Sequence, residues 1–277
     1  MAANSFRIPM LCAAFLVAGT TARGAFEPLP AGARCSALCG ALLLSCHEPL
    51  SVAANPSLLS GIAGASAEFS LSPGRFGLQE LRLLDAALAF PLGPGGGGCH
   101  ARLFGGPLYG ELTITGSIAR PLSDRFDGGF SLSLYHLHIA GYGAASAWAV
   151  SAGARARVAD PLLFAASVRN INRPLLGRAR EPVGMEMLAS LQYDPAAWLH
   201  LLVALSKEER ALPAAAAGLE AELAGCIALR TGISEGSSEF GFGASLTFPA
   251  FALDYGLVSH ASLGFTHALT LSIGWPQ

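Results

Sequence analysis

The chain has 277 residues, 52% of them hydrophobic and only 13% charged, with a formal net charge of -2. Soluble domains carry about 25% charged residues, so the composition disfavours an ordinary water-facing surface. With no basic stripe to displace counterions from phosphates, nucleic acid is excluded as a partner.

The chain opens with Arg7, an apolar run over 8–17 and small residues over 18–25, the layout of a secretory signal peptide. Processing is expected between Arg23 and Phe26; the alternative is an uncleaved amphipathic anchor. Residues 1–24 are therefore set apart as a signal peptide, 25–62 as an N-terminal segment and 63–277 as the body of the protein. No later stretch is a membrane helix, which needs about 20 sustained apolar residues. The bulkiest uncharged run, 196–205, stops at Ser206, Lys207 and Glu208.

Residues 25–62 are apolar and poor in charge, and "GARCSALCGALLLSCHEPLSVAANPSLLSGI" (32–62) shows no clean alternation until its end. Asn55-Pro56 followed by Ser57, Leu58 and Leu59 predicts a turn into a short helix. The segment is too short to fold alone, given the ~40-residue limit for an unstapled domain. Its expected place is inside a barrel or across its mouth, with Leu42, Leu43 and Leu44 forming an apolar surface and Asn55 and Pro56 turning the chain into the first strand. These five residues are the candidate ligand and plug residues.

From residue 66 onward the apolar period is two. Leu112, Ile114 and Ile118 alternate with Thr113, Thr115 and Ser117; Phe130, Leu132 and Leu134 alternate with Ser131 and Ser133; Phe240, Phe242, Leu246 and Phe248 alternate with small residues. Further strands are predicted at 66–73, 82–91, 145–158, 161–170, 184–193, 198–206, 215–224, 226–234 and 251–258, and "HALTLSIGW" (267–275) supplies the last. Punctuators such as Asp160-Pro161 and Asp194-Pro195 separate them. The run 95–98 reads as a glycine-rich hairpin loop; without a following Lys-Ser/Thr it is no phosphate loop.

Thirteen strands are counted in this way, and since bacterial barrels favour even numbers, 12 or 14 are expected. A soluble sandwich would carry charged residues on its outward face, whereas here the second face is Ser, Thr, Gly and Ala. The predicted fold is all-β, a transmembrane antiparallel β-barrel of about 12–14 strands with a short N-terminal plug. Its apolar side faces lipid, and aromatics such as Phe248, Tyr255 and Trp275 are expected near strand ends.

No enzyme is predicted: there is no Gly-x-Ser-x-Gly elbow, and the Ser and His residues are scattered. His136 and His138, two apart on one strand face, read as a solvent-facing or interface pair rather than metal ligands, and His260 and His267 as polar loop-end residues. Cys35, Cys39, Cys46 and His47 match no zinc spacing, and Cys99 and Cys226 lie far away. Neither metal nor cofactor is called for. In an oxidising compartment a Cys35–Cys39 or a Cys39–Cys46 bridge is open.

One pattern is more specific. Gly32-Ala33-Arg34, Ala37-Leu38, Gly40-Ala41, Pro49-Leu50-Ser51 and Asn55-Pro56 with Leu58 or Leu59 resemble the N-terminal signature of outer-membrane barrels related to the FadL-type fatty-acid transporters. Within that group the chain looks most like the PorV/PorQ-like proteins. "SVRNINRPLL" (167–176), "LASLQYDPAAWLHLLVALSKEE" (188–209), "GLEAELAGCIALRTGISEG" (218–236) and "LDYGLVSHASLGFTHALTLSIGW" (253–275) extend the likeness. It implies a location in the outer membrane of a Gram-negative-type bacterium, with lipid and the barrel-assembly machinery as partners. It also implies one of two roles: passage of a small hydrophobic ligand past a plug, or service to proteins of a type IX-like secretion machine. A purely structural barrel is the third reading.

Overall fold

In the computed structural model, residues 24–45, 47–209, 211–235 and 238–274 are described. The expected signal peptide, apart from Gly24, lies outside them, as do Cys46 and Trp275.

Fourteen strands close into one antiparallel barrel. In chain order they begin with β1 (Ser66–Ser72), β2 (Leu83–Leu92), β3 (Gly95–Gly105), β4 (Tyr109–Ser123), β5 (Phe126–Ile139), β6 (Gly143–Ala159) and β7 (Leu162–Arg169). A two-stranded ribbon, β8 (Leu175–Leu176) and β9 (Glu181–Pro182), lies outside the barrel sheet. The wall continues with β10 (Glu186–Ala196), β11 (Leu199–Glu208), β12 (Ala214–Leu223), β13 (Ile227–Ser234), β14 (Glu239–Thr247), β15 (Phe251–His260) and β16 (Gly264–Ile273). Pairing of β1 with β16, Phe69 opposite Leu271 and Leu71 opposite Leu269, closes the ring. Closure pairs every strand on both sides, the condition for an all-β wall in hydrocarbon.

Each of the thirteen predicted strands matches a barrel strand. The fourteenth is β3, whose first four residues are Gly95 to Gly98, the run read as a loop. It is paired on both sides, with Gly97 opposite Phe90 in β2 and Ile118 in β4.

Alternation sorts the wall into two faces. Leu269 and Ile273 are exposed on β16 while Thr266, Thr270 and Ser272 are buried; on β5, Phe130 and Leu132 are exposed while Ser131 and Ser133 are buried. The fold is thus apolar outside and polar inside, the reverse of a soluble protein and the arrangement of an outer-membrane barrel. Among the described residues no helix is long and apolar enough to cross a membrane.

Connections are short at the end of the barrel where β1 starts and β16 finishes. At the other end they are longer, including 73–82 and 170–185. These are called the turn end and the loop end. Phe248 and Phe251 stack at the turn end with centroids 4.7 Å apart. Tyr255, in contrast to its expected strand-end position, lies midway along β15, its hydroxyl 2.7 Å from His267 Nδ1. His267 is therefore on the outer wall rather than in a loop, whereas His260 does cap the β15–β16 turn, its Nδ1 accepting from Ser262 N and Leu263 N. His136 lies 2.8 Å from Ser146 Oγ, and no cluster of metal-ligating side chains occurs among the described residues.

The outward assignment carries a measurable consequence. Leu269→Arg sets a charge midway along an outer strand and is expected to destabilise the barrel by about 2–4 kcal/mol, while Ser259→Arg, near the loop end of β15, is expected to cost about 1 kcal/mol or less. Urea unfolding in lipid vesicles measures both, and equal losses would overturn the depth assignment.

Candidate functional site

The lumen is occupied by the segment that precedes β1. Phe26 lies against Tyr135 in a tilted ring pair with centroids 4.5 Å apart and packs with Leu176 and Val183 of the long connection at the loop end. Next comes α1 (Gly32–Ala37), which lies against the inner wall, Ala33 N donating to Thr270 Oγ1 at 2.8 Å. Two 3-10 turns follow, Pro49–Ala53 and Pro56–Leu59, and β1 begins at Ser66.

What lets a peptide lie so close to a β-wall is glycine. A Cβ on Gly241 would stand 2.1 Å from Ala37 O, and one on Gly96 would stand 2.1 Å from Leu59 O. Gly153 and Gly256 are equally crowded, by Asn55 Oδ1 and Ala33 O. Inward-facing glycine here is a groove for a second backbone rather than a weak point in the strand. Gly241→Ala is expected to cost about 1–3 kcal/mol through overpacking in the full chain. In a chain lacking residues 32–54 the same substitution should be neutral. Unfolding midpoints of the four proteins test this, and an equal cost in both backgrounds would overturn it.

Polar wall side chains then fix the segment. Gln192 on β10, fully buried, accepts from Leu44 N at 2.5 Å and Ser45 N at 3.1 Å, and its amide nitrogen donates to Ser45 Oγ and Asp194. Arg155 on β6 donates to Leu44 O at 3.0 Å and pairs with Asp127 at 2.8 Å. The Leu44 residue is thus held at its N–H from one side and at its carbonyl from the other. Glu68 on β1 accepts from Leu50 N at 2.7 Å. Arg102, paired with Asp85, donates to Leu29 O at 2.8 Å.

Deeper in the wall a chain of charges reaches the segment. Arg34 lies 2.5 Å from Glu48 and 3.6 Å from Glu220; Arg230 lies 2.5 Å from the same Glu220 and 2.9 Å from Asp254, which also accepts from Ser245 Oγ. Unsatisfied charge away from water is costly, and each of these groups has an opposite charge within reach.

The five predicted site residues are all buried in this segment. Leu42, Leu44 and Leu58 pack with Ala165 of β7, and Leu43 with Leu202 and Ala204 of β11. The leucines therefore meet an apolar strip of wall, not a lining of Ser, Thr and Gly alone. Asn55 Nδ2 donates to Ala154 O and Ala166 O, both at 3.3 Å, while its Oδ1 accepts from Ser57 N at 3.0 Å. Pro56 opens the second 3-10 turn, so this pair anchors the segment to β6 and β7 and starts the predicted short helix; the first strand follows only after six further residues.

Cys35 and Cys39 are free thiols, which removes the bridge considered for them. Burial pushes Cys35 up to about 11 and Cys39 up to about 12, leaving both protonated and unreactive. Burial also lowers His47, whose neutral ring donates from Nδ1 to Leu58 O at 3.0 Å.

Between the segment and the wall a cavity of about 250 Å³ opens at the loop end. Its inner side is Leu38, Ala41, Leu42, Leu43 and Leu50, its wall includes Leu188 and Ala204, and its rim is charged. Sequence reasoning did not find Gln192, Arg155, Arg230 or Glu68. Their only signal was a long polar side chain at an inward place in the alternation.

Fold and lumen together define a 14-stranded outer-membrane-type barrel with its N-terminal segment folded inside. Solved structures with this architecture include a FadL homologue from Pseudomonas aeruginosa, with a TM-score of 0.67 and 10% identity over 89% of this chain and 98% of that one. The CymD monoaromatic hydrocarbon channel matches with a TM-score of 0.68 and 10% identity, over 91% and 100%. The P. putida toluene transporter TodX matches with a TM-score of 0.65 and 11% identity, over 90% and 100%. At this identity the likeness is one of fold. No protein-family model and no curated protein matches the sequence. The FadL-type part of the expected resemblance is supported by fold; the PorV/PorQ-like assignment and the secretion role gain no support.

Proposed function

We propose that this protein is an outer-membrane channel for small hydrophobic molecules, in which the segment 25–62 is an internal plug. The observation that carries the reading is the loop-end cavity, open at one end of the barrel and bounded on its inner side by Leu38, Leu42 and Leu43. Ligand sites are concave and mostly apolar with a few placed polar groups, and this cavity has that character. The fold shared with a toluene transporter and a monoaromatic hydrocarbon channel supports the same reading.

In this reading the loop end faces outward, because outer-membrane barrels keep their short turns on the periplasmic side. A hydrophobic molecule enters the cavity from outside and rests against Leu42 and Leu43. Passage to the periplasm requires the Leu44 peptide to leave Gln192 and Arg155. Asn55 and Pro56 stay fixed to β6 and β7 and act as the hinge end of the moving piece. Lipid and the barrel-assembly machinery are the partners this reading requires; no cofactor enters it.

The test is uptake of labelled toluene by intact cells of a strain lacking channels of this kind, with and without the protein. Several-fold faster uptake is the expected result. Correct assembly with no gain in uptake would leave a structural barrel and overturn the proposal.

A further inference from the structure

Gln192 accepts from Leu44 N at 2.5 Å and from Ser45 N at 3.1 Å through a single oxygen, Oε1. An amide side chain has an acceptor end and a donor end of nearly the same size and shape. Turned over about its last bond, this one would point an NH2 at two backbone N–H groups and lose both bonds. The hold on the segment therefore depends on which way one buried amide faces.

Asp194 decides that. Both of its carboxylate oxygens face Gln192 Nε2, at 2.8 and 3.0 Å, and a carboxylate only accepts. It takes the NH2 end of Gln192 and leaves the carbonyl for the plug. Ser45 Oγ, 2.8 Å from the same nitrogen, both donates and accepts, so it does not choose between the two ends. Asp194 is held in turn by His200, whose Nδ1 donates to its Oδ1 at 2.7 Å, while the other ring nitrogen lies 3.7 Å from Glu222. Asp194 stands near the end of β10 and His200 near the start of β11, so the pair flanks the short connection between them at the turn end, where Glu222 is half exposed. Neither residue lines the loop-end cavity.

Resting on the channel reading above, we propose that Asp194 and His200 are positioning residues for the plug: they keep the Gln192 carbonyl turned toward Leu44 and Ser45, and the plug is released on this side when that amide turns over. Arg155 then holds the Leu44 peptide alone, at its carbonyl. Release in this form needs no movement of a strand, only rotation of one side chain between two discrete orientations.

Asp194→Asn tests this without a change of size. In the native pose it sets an NH2 against the NH2 of Gln192, a clash relieved when Gln192 turns over. In planar bilayers the full-length variant should spend about tenfold more time open than the intact protein, the order expected when buried donors lose their acceptor. Its open level should match that of a chain lacking residues 32–54, and in that shortened chain, which has no Leu44, the same substitution should change nothing. Adding Gln192→Glu exchanges the two ends. The carboxylate introduced at 192 accepts from Leu44 N and Ser45 N whichever way it faces, and the amide introduced at 194 donates to it. The double variant should close again to the level of the intact protein, a rescue that loss of a merely structural contact would not permit.

Asp194→Asn protein that shows the heat-modifiable gel migration of a folded barrel, yet stays as closed as the intact protein, would overturn the proposal, as would a folded double variant as open as the single one. His200→Ala is a second measurement that keeps the carboxylate. Without the ring Asp194 is free to turn away from Gln192, so open time should rise several-fold, and no rise in folded protein would overturn the proposal too. Ion conductance is read separately from transport. Toluene uptake by the intact protein with an unmoved open time in Asp194→Asn would overturn the amide catch alone, whereas a raised open time with no toluene uptake would overturn the channel reading alone.

Discussion

A chain lacking residues 32–54 is expected to assemble as a closed barrel and to show single-channel conductance at least about tenfold above that of the intact protein, since a barrel near the porin range holds an aqueous lumen once nothing fills it. Assembly should survive because the ladder from β1 to β16 closes through the wall alone. Asn55 keeps its hydrogen bonds to Ala154 O and Ala166 O, so the chain still approaches β1 from its native anchor. What is lost is α1, the leucine run and the first 3-10 turn, the parts now lying against the wall glycines and against Leu202 and Ala204. The polar inner faces of the strands would then line water. Planar-bilayer recording is the measurement. If the shortened protein assembles and conducts no more than the intact one, the segment is not what closes the lumen, and the proposed gate falls with it.

The second large effect is expected at Arg230. Its side chain is wholly buried and joins Glu220 at 2.5 Å to Asp254 at 2.9 Å, with Arg34 of the N-terminal segment as the other cation near Glu220. Arg230→Met leaves two buried carboxylates with that one remaining cation, and breaking a buried pair from one side costs about 3–5 kcal/mol. Replacing the partners as well, in Arg230→Met with Glu220→Gln and Asp254→Asn, should recover most of the loss, because a neutral set carries no stranded charge. Urea unfolding in lipid vesicles compares the three proteins. A loss below about 1 kcal/mol for the single variant would mean that water reaches these groups and that this part of the lumen is not dry. Arg34 gives the same network a second consequence. Arg34 meets part of the charge of Glu220, but removing the segment also opens the lumen to water, so Arg230→Met is expected to cost less in the shortened chain than in the full one.

The sequence by itself determined the wall. A period of two is a local property, readable from Leu269, Leu271 and Ile273 against Thr270 and Ser272, and it survives any closure of the sheet. The lack of charge on both faces separated a membrane barrel from a sandwich, and Asn55-Pro56 marked a helical turn because proline fixes the first residue of one. Residues 25–62 could be placed against the barrel because a segment that short and apolar needs another surface to fold on.

Only the tertiary structure decided what depends on two distant pieces meeting. Gly95 to Gly98 read as a loop, because a run of glycines has the same local signature whether it bends freely or makes room for something. The room is for Leu59, more than thirty residues away, and that contact makes the run the fourteenth strand. Gln192 and Arg155 are single polar residues in ordinary alternating strands. They become a clamp because β6 and β10 flank β7, which sets both beside the Leu44 peptide. Glu220, Arg230 and Asp254 stand on three different strands, and Arg34 comes from the other end of the chain. No spacing in sequence encodes their meeting, since it is fixed by strand register and by the folding of the N-terminal segment into the closed ring.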